Sequence, residues 1–371
     1  MSDTRIKTLI ADTFLEMADG LQSGEFGKKA IIGIASEGSE HGEDDLLKAV
    51  EIATRKGLHP VLIQGDNVHK KMEEMIASGE IDGAVTSHYP FPIGVSTVGK
   101  VITPGIGKPM YIATTTGTSD TDRVSGMVKN AIYGVIAAKA DGIQNPTVGI
   151  ANIDGARQTE KALMQLKENG YDFNFADSMR ADGGLVMRGN DLLAGTPDIM
   201  VMDSLTGNLM MKLFSSYTTG GNYESLGFGY GPGIGEGFDS LILIISRASG
   251  APVVAGAVEF ATNLIKHDWK KVAAAEFKLA KSAGLDKVLA ACKPVKKEAV
   301  AEETVKVPPK EPVTAQIPGI EVMDLEDAVT ALWKANIYAE SGMGCTGPIV
   351  LMSEANKEAS FKILKEAGYI G

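Results

Sequence analysis

The feature that most constrains the fold is a regular alternation of short apolar runs with amphipathic stretches, which starts at Lys29. The run AIIGIA is followed by DDLLKAVEIATRKG, and PVLIQGD, VHKKMEEMIASG and IDGAVTS repeat the pattern. The same rhythm continues from MYIATTT to LILIIS. Strands that alternate with helices are typical of βαβ units, so we predict an α/β domain with a doubly wound, mainly parallel sheet over residues 29–292. Its ligand should lie at the carboxyl ends of the strands.

Three shorter segments flank this domain. Residues 1–28 form a polar amphipathic stretch that predicts a helix. Residues 293–318 are rich in Pro, Lys, Glu and Val and hold no aromatic residue, which is typical of a flexible linker. Residues 319–371 predict a small C-terminal α/β segment. Because so short a segment buries little surface alone, we expect it to dock on the main domain or on a partner.

Composition excludes several classes of function. The net charge of −11 argues against binding to nucleic acid or to an anionic membrane. No apolar run approaches the roughly 20 residues of a spanning helix, so we expect a cytoplasmic protein. The two cysteines lie in unlike contexts, and no Cys or His pair has the spacing of a zinc site. We therefore expect no disulfide, no metal and no cofactor.

Cys345 is the sharpest candidate for a catalytic residue. It lies in SGMGCTGP, where flanking glycines expose the sulfur and free backbone N–H groups to hold the oxyanion of a thioester. The alternative is a small buried cysteine in a tight turn. Cys292, at the end of an apolar helix, is predicted to be structural.

A second group of candidates follows the predicted strand PDIMVMD. The strand ends in Asp203, and the triplet Thr-Gly-Asn that ends in Asn208 is predicted to form a turn. This would place polar groups at the edge of the sheet where α/β folds bind ligands. A plain strand-to-helix turn capped by the asparagine is the alternative.

A glycine-rich stretch and a strand-end arginine predict a phosphate site. Gly233 and Gly235 lie in YGPGIGEG, which is expected to be a loop whose N–H groups wrap an anion. Arg247 follows Ser246 at the end of the strand LILIIS, and a guanidinium suits bidentate phosphate binding. A solvated arginine is the alternative. His88, after another predicted strand, is a candidate acid or base, or else a hydrogen-bonded turn histidine.

The order of these motifs resembles a known family. VGIANID, NDLLAGTPDIMVMDSLTGNLMMK, GYGPGIG and LILIISRASG are similar to the phosphate acyltransferases of bacterial phospholipid synthesis. Phosphotransacetylases and phosphate butyryltransferases also end a core strand in Ser-Arg, which Ser246 and Arg247 match. The resemblance implies transfer of an acyl group between a thioester and phosphate.

The rest of the chain departs from those enzymes. SHYPFPIGVSTVG replaces their glycine- and asparagine-rich loop, and the linker and the Cys345 segment have no counterpart there. The SGMGCTGP turn, and essentially the whole chain, resembles the alpha subunits of component C of glycine, sarcosine and betaine reductases. That resemblance implies two partners, a ketoacyl-synthase-like beta subunit and a selenoprotein A that carries a carboxymethyl group as a selenoether.

The resemblance also implies residue roles. Cys345 would carry an acetyl thioester, and Ser246, Arg247 and the turn at Asn208 would hold the phosphate that releases it as acetyl phosphate. Two rival hypotheses stay open. One is a self-contained phosphate acyltransferase that uses acyl carrier protein or coenzyme A and needs no cysteine. The other is a non-catalytic scaffold that holds the beta subunit and selenoprotein A.

Overall fold

The first half of the main domain alternates strands and helices up to residue 86, as its sequence pattern predicts, and then has two further strands before the next helix. The computed structural model describes residues 29–181, 183–293, 305–321, 324–344 and 347–370, together with positions 7, 11, 13–15, 17, 18 and 21. The elements up to residue 140 are β1 (Ile31–Ala35), α1 (Glu43–Arg55), β2 (His59–Ile63), α2 (Val68–Ser78), β3 (Gly83–Thr86), β4 (Val95–Ile102), β5 (Pro109–Thr118) and α3 (Arg123–Ala140).

The second half of the main domain has shorter strands, alternates less regularly and ends in three successive helices. Its elements are β6 (Thr147–Ala151), α4 (Ala156–Glu168), β7 (Asn174–Phe175), β8 (Val186–Met187), α5 (Gly189–Ala194), β9 (Ile199–Val201), α6 (Ser204–Ser216), a 3₁₀ turn (Tyr217–Thr219), β10 (Gly231–Ile234), β11 (Ile242–Ile244), α7 (Ala251–Lys266), α8 (Trp269–Ser282) and α9 (Leu285–Cys292).

The strands form one eleven-stranded sheet in the order β2-β1-β3-β11-β10-β4-β5-β9-β6-β7, with β8 also paired to β6. β2, β1, β3 and β11 are parallel to one another, as are β5, β9, β6, β7 and β8. The two groups meet through β10 and β4, whose pairings are antiparallel. The predicted α/β fold with a mainly parallel sheet is confirmed, and the antiparallel centre was not predicted.

One hydrophobic core joins the two parallel groups of strands. Ile34 of β1, Val85 of β3, Ile150 of β6 and Val201 of β9 are fully buried and belong to a single cluster. Helix α3 is apolar on nearly every side and is buried along most of its length, in contact with β5 and β9. The shared core makes the two halves one packed domain.

The glycine-rich stretch forms strand β10, so the prediction of an anion-binding loop was wrong for Gly231–Ile234. Gly231 has a φ of 83°, which favours glycine. A Cβ atom at Gly233 would lie 2.3 Å from the ring of Phe91, and one at Gly235 would lie 2.6 Å from a backbone oxygen beside β4. Close packing of the backbone therefore explains the glycines at positions 233 and 235.

The Thr-Gly-Asn triplet lies in the first turns of α6, so the predicted turn was wrong. Helix α6 begins at Ser204, and Asp203 is its N-cap because its Oδ1 accepts hydrogen bonds from the N–H groups of Leu205 and Thr206, each at 3.0 Å. A Cβ atom at Gly207 would lie 1.7 Å from the carbonyl oxygen of Thr114. Glycine at this position lets α6 lie directly on β5.

The C-terminal segment has a hydrophobic core of its own. Its elements are β12 (Ala315–Pro318), α10 (Leu325–Lys334), β13 (Ala339–Gly344), β14 (Gly347–Met352), a 3₁₀ turn (Glu354–Asn356) and α11 (Lys357–Glu366). The strands form an antiparallel sheet in the order β12-β14-β13. Val350 and Met352 of β14 pack with Leu332 of α10 and Leu364 of α11, and all four are fully buried.

The boundary of the predicted linker needs a correction, whereas the expected contact of the tail with the main domain is present. The linker was predicted to reach residue 318, but Ala315–Pro318 pairs with β14 and belongs to the small sheet. The Glu321 carboxylate accepts hydrogen bonds from the N–H groups of Gly155 (3.3 Å) and Arg157 (3.0 Å) at the start of α4. The C-terminal segment therefore contacts the main domain through α4.

Within the described part of the chain, no helix has both the length and the hydrophobicity needed to span a bilayer. Over the same residues, no group of three or more His, Cys, Asp or Glu side chains is arranged to hold a metal ion.

Candidate functional site

A cavity of about 400 Å³ opens where β1, β3 and β11 end. These strands are parallel, so their carboxyl ends meet at one edge of the sheet. We call this cavity the strand-end pocket. It is lined by Glu40, Ser87, His88, Tyr89, Thr116, Asn208, Lys212, Tyr230, Ile244, Ile245, Ser246, Arg247 and Ala248.

Hydrogen bonds join the loops that form the pocket wall. The N–H of Glu40, after β1, donates to the carbonyl oxygen of Arg247, after β11, at 2.9 Å. The Ser87 hydroxyl, after β3, donates to the carbonyl oxygen of Glu37 at 2.6 Å. Three separate loops are thereby held as one wall.

A buried carboxylate fixes the loop that follows β11. Glu224 is 3% exposed and accepts hydrogen bonds from the Tyr230 hydroxyl (2.9 Å) and the Ser249 hydroxyl (2.7 Å). Ser249 Oγ in turn accepts from the N–H of Ser246 at 2.9 Å. Burial, and then the charge of Glu224, raises the pKa of Tyr230 well above its usual range, so the phenol stays protonated and donates. Glu224 therefore supports the loop that carries Ser246 and Arg247.

Two cationic side chains line the strand-end pocket. Arg247 is exposed and forms no ion pair with any residue that the structure describes. Lys212 Nζ lies 3.4 Å from Ser246 Oγ. Asn208, one helical turn before Lys212 on α6, donates its Nδ2 to the carbonyl oxygen of Thr115 at 3.1 Å. α6 and the loop after β11 thus bring their polar groups to the same cavity.

His88 lies exposed at the rim of the pocket. Its carbonyl oxygen accepts a hydrogen bond from His69 Nε2 at 2.8 Å, and the two rings have centroids 6.5 Å apart. His69 thus holds the loop through the carbonyl group of His88, and this hydrogen bond does not involve the His88 ring. An acid or base role for His88 stays a prediction.

Asp203 does not line the strand-end pocket, and its carboxylate binds other groups of the protein. Its carboxylate caps α6, accepts from the Thr206 hydroxyl (2.8 Å) and pairs with Arg123 (3.0 Å). Burial alone would raise the pKa of this carboxyl, but the hydrogen bonds from Thr206 and the charge of Arg123 outweigh burial and hold the pKa below its usual value. Asp203 therefore stabilises the start of α6.

We expect Asp203→Asn to lower stability by about 1 kcal/mol at pH 7. A carboxyl whose folded pKa is depressed contributes stability above its unfolded pKa, about 3.9, and loses that contribution as pH falls through the folded pKa. The difference in the free energy of unfolding between wild type and variant should therefore shrink when urea unfolding is repeated below about pH 4. Asp239→Asn, at an exposed carboxylate, is the control. An equal difference at both pH values would contradict the role.

The two cysteines are placed very differently. Cys292 is half-buried at the end of α9, where burial, and then the charge of Asp122, raises the pKa of its thiol. A raised pKa leaves little thiolate, which supports the predicted structural role. Cys345 lies outside the described residues, between Gly344 and Gly347, which pair with each other as β13 and β14 meet.

The structure groups some of the predicted site residues and separates others. Those that line the strand-end pocket are Asn208, Ser246, Arg247 and His88. Those that lie elsewhere are Asp203, Gly233 and Gly235.

Sequence reasoning missed two residues at this site. Lys212 follows Asn208 by four positions, which places the two on one face of the helix. Only a helical insertion around residues 204–229 was expected there, and Lys212 was not singled out. Glu224 lies in an irregular segment before β10 and carries no local signal. Its role depends on contacts that only the folded chain makes.

The comparisons with known proteins agree with this fold. A family model described as "Fatty acid synthesis protein" matches residues 20–351. The glycine/sarcosine/betaine reductase complex component C subunit alpha of Peptoclostridium acidaminophilum is 58% identical, and the alignment covers 100% of each chain. The chain belongs to the family of component C alpha subunits. The resemblance inferred from the SGMGCTGP turn is thereby confirmed.

This chain is also similar, over part of its length, to phosphate acyltransferases. The phosphate acyltransferase of Staphylococcus epidermidis is 30% identical over 168 residues, which cover 40% of this chain and 48% of that protein. The phosphate acyltransferase of Thermosipho africanus is 27% identical over 153 residues, which cover 38% of this chain and 43% of that protein. The similarity to these enzymes therefore spans less than half of their length.

Proposed function

We propose that the chain transfers an acetyl group from a thioester on Cys345 to inorganic phosphate and so forms acetyl phosphate. The observation that carries the proposal is the strand-end pocket, which brings Arg247, Ser246, Asn208 and Lys212 together from two distant parts of the chain. The names of the similar proteins, a reductase component C subunit and phosphate acyltransferases, support the same chemistry.

The pocket has the chemistry of a phosphate site. Arg247 presents a planar fork of donors, and Lys212 presents a compact ammonium group. Asn208 and the Ser246 hydroxyl add neutral polar groups. A small tetrahedral dianion fits a cavity of about 400 Å³ with two cations. This arrangement favours inorganic phosphate as the second substrate.

In the proposed reaction a phosphate oxygen attacks the thioester carbonyl. A tetrahedral oxyanion forms, the C–S bond breaks, and the sulfur leaves as the thiolate of Cys345. N–H groups of the glycine-flanked turn would hold the oxyanion, and His88 would take the proton of an attacking monoanion. The mechanism requires no cofactor besides the substrate phosphate.

The acetyl group must reach Cys345 from other proteins. We assign this step to a ketoacyl-synthase-like beta subunit and to a selenoprotein A that carries a carboxymethyl group. The name of the Peptoclostridium acidaminophilum relative, which is a component C subunit of a reductase complex, supports a role within such a complex.

A second candidate function is direct acyl transfer from acyl carrier protein or coenzyme A to phosphate. The partial similarity to named phosphate acyltransferases favours it. This alternative does not use Cys345, so the two functions differ in their dependence on one thiol.

Arsenolysis of acetyl phosphate tests the proposed function. The full-length chain should transfer acetyl to its own thiol and then to arsenate. The resulting mixed anhydride, acetyl arsenate, hydrolyses to acetate and arsenate, so acetyl phosphate should disappear only when arsenate is present. The alternative function requires added coenzyme A or acyl carrier protein. Acetyl phosphate loss by the full chain that depends on added carrier and persists in Cys345→Ser would favour the alternative.

A further inference from the structure

We propose that Glu224 is a positioning residue for the phosphate site, because its buried carboxylate sets the conformation of the loop that carries Ser246 and Arg247. The inference rests on the proposed function, since it assumes that phosphate binds in the strand-end pocket. Glu224 does not itself line the pocket. It acts through its neighbours.

Glu224 holds the loop by its backbone as well as by its side chain. Its N–H donates to the carbonyl oxygen of Ala248 at 3.0 Å, and its carbonyl oxygen accepts from the N–H of Gly250 at 2.9 Å. Its Oε2 accepts from the Ser249 hydroxyl. Three hydrogen bonds from one residue thus fix the segment directly after Arg247.

The side-chain bonds also have a fixed direction. A carboxylate can only accept, so the Ser249 proton must point at Glu224 and leave an Oγ lone pair for the N–H of Ser246. The Tyr230 hydroxyl donates to the other carboxylate oxygen. An amide in place of the carboxylate would present N–H groups to one of the two hydroxyls and reverse its hydrogen bond.

The charge of Glu224 alone would have the opposite effect on phosphate. Its Oε1 lies 3.9 Å from Lys212 Nζ, so it offsets part of the positive charge that faces the pocket. If Glu224 acted only through its charge, removal of that charge would strengthen anion binding. If Glu224 positions the loop, the same change weakens anion binding, so the sign of the effect separates the two roles.

Titration of the full-length chain with inorganic phosphate by calorimetry provides the test. We expect Glu224→Gln to weaken phosphate binding about tenfold, the effect of about one lost hydrogen bond to a charged group. Ser249→Ala should weaken binding to a similar extent, and the double variant should be little worse than either alone, since both changes interrupt one chain of hydrogen bonds.

A matched control is available in the same domain. Glu276 is 5% exposed and holds the Tyr171 hydroxyl and Lys139, away from the strand-end pocket. Glu276→Gln should lower the melting temperature and leave phosphate affinity unchanged. The melting temperature of each variant shows that it is folded, and Ser249→Ala serves as the second variant if Glu224→Gln does not fold.

Each outcome decides between the proposals. Unchanged or tighter phosphate binding by folded Glu224→Gln overturns the positioning role alone, as does unchanged binding by Ser249→Ala when the other variant does not fold. Absence of phosphate binding by the wild-type chain overturns both the positioning role and the proposed function. Weaker binding by Glu224→Gln and Ser249→Ala, with wild-type affinity in Glu276→Gln, supports the positioning role.

Discussion

Arg247→Ala should lower kcat/KM for phosphate by about 30-fold to roughly 1,000-fold, and most of the change should appear as a higher phosphate requirement. The guanidinium is exposed in the strand-end pocket and has no ion pair among the described residues, so its charge is available to a bound anion. Loss of a charge-assisted contact to the transition state costs about 2–4 kcal/mol. Phosphate titrations of turnover in the reconstituted complex measure the effect.

Two further variants make the Arg247 result specific. Arg247→Lys keeps the charge but loses the bidentate fork, so its kcat/KM should lie between those of wild type and Arg247→Ala. Arg55→Ala, which removes an exposed arginine on α1 that pairs with Glu51, should leave the phosphate requirement unchanged. Acetylation of the enzyme by its partners should be normal in all three variants. A normal phosphate requirement in Arg247→Ala would place the phosphate site elsewhere.

Cys345→Ser should abolish acetyl phosphate formation. A serine hydroxyl is a far weaker nucleophile near neutral pH than a thiolate, and an oxygen ester would not be discharged by phosphate as a thioester is. The variant should still fold, because the substitution exchanges a sulfur atom for an oxygen atom and keeps the size of the side chain similar. It should also lose alkylation by iodoacetamide at the peptide that contains residue 345. Turnover assays and peptide mapping check both expectations.

Cys292→Ser is the natural control for Cys345→Ser. Cys292 is half-buried and the pKa of its thiol is raised, so it should react slowly and contribute nothing to turnover. We expect Cys292→Ser to retain wild-type activity and wild-type acetylation. Loss of activity in a folded Cys292→Ser, with activity retained in Cys345→Ser, would exchange the roles assigned to the two cysteines.

The parts of the fold that the sequence predicted are those with a local signal. Apolar runs of the right length predicted β1, β3 and β11, and Ser246 and Arg247 were correctly placed where a strand ends. The glycine-rich stretch was wrongly predicted to be a loop, because glycine is common both in open loops and where two backbones pack closely. Close contacts of the folded chain, such as that between Gly233 and Phe91, distinguish the two.

The parts that were missed depend on contacts between distant residues. Ala315–Pro318 is a strand because β14 pairs with it, although its composition is that of a linker. The triplet that ends in Asn208 is helical because Asp203 caps the helix and Gly207 packs on β5, which together outweigh a turn-like composition. Glu224 was missed because its partners are Tyr230 and Ser249, and neither spacing nor residue type marks the three as a group.

The central claim is that an acetyl group passes through Cys345 on its way to phosphate. Mass spectrometry of the full-length chain after incubation with acetyl phosphate tests it most directly. We expect a gain of one acetyl group on the peptide that contains Cys345, none on the peptide that contains Cys292, and loss of the acetyl group when arsenate or excess phosphate is added. An unmodified Cys345 peptide, together with full turnover by Cys345→Ser, would contradict it.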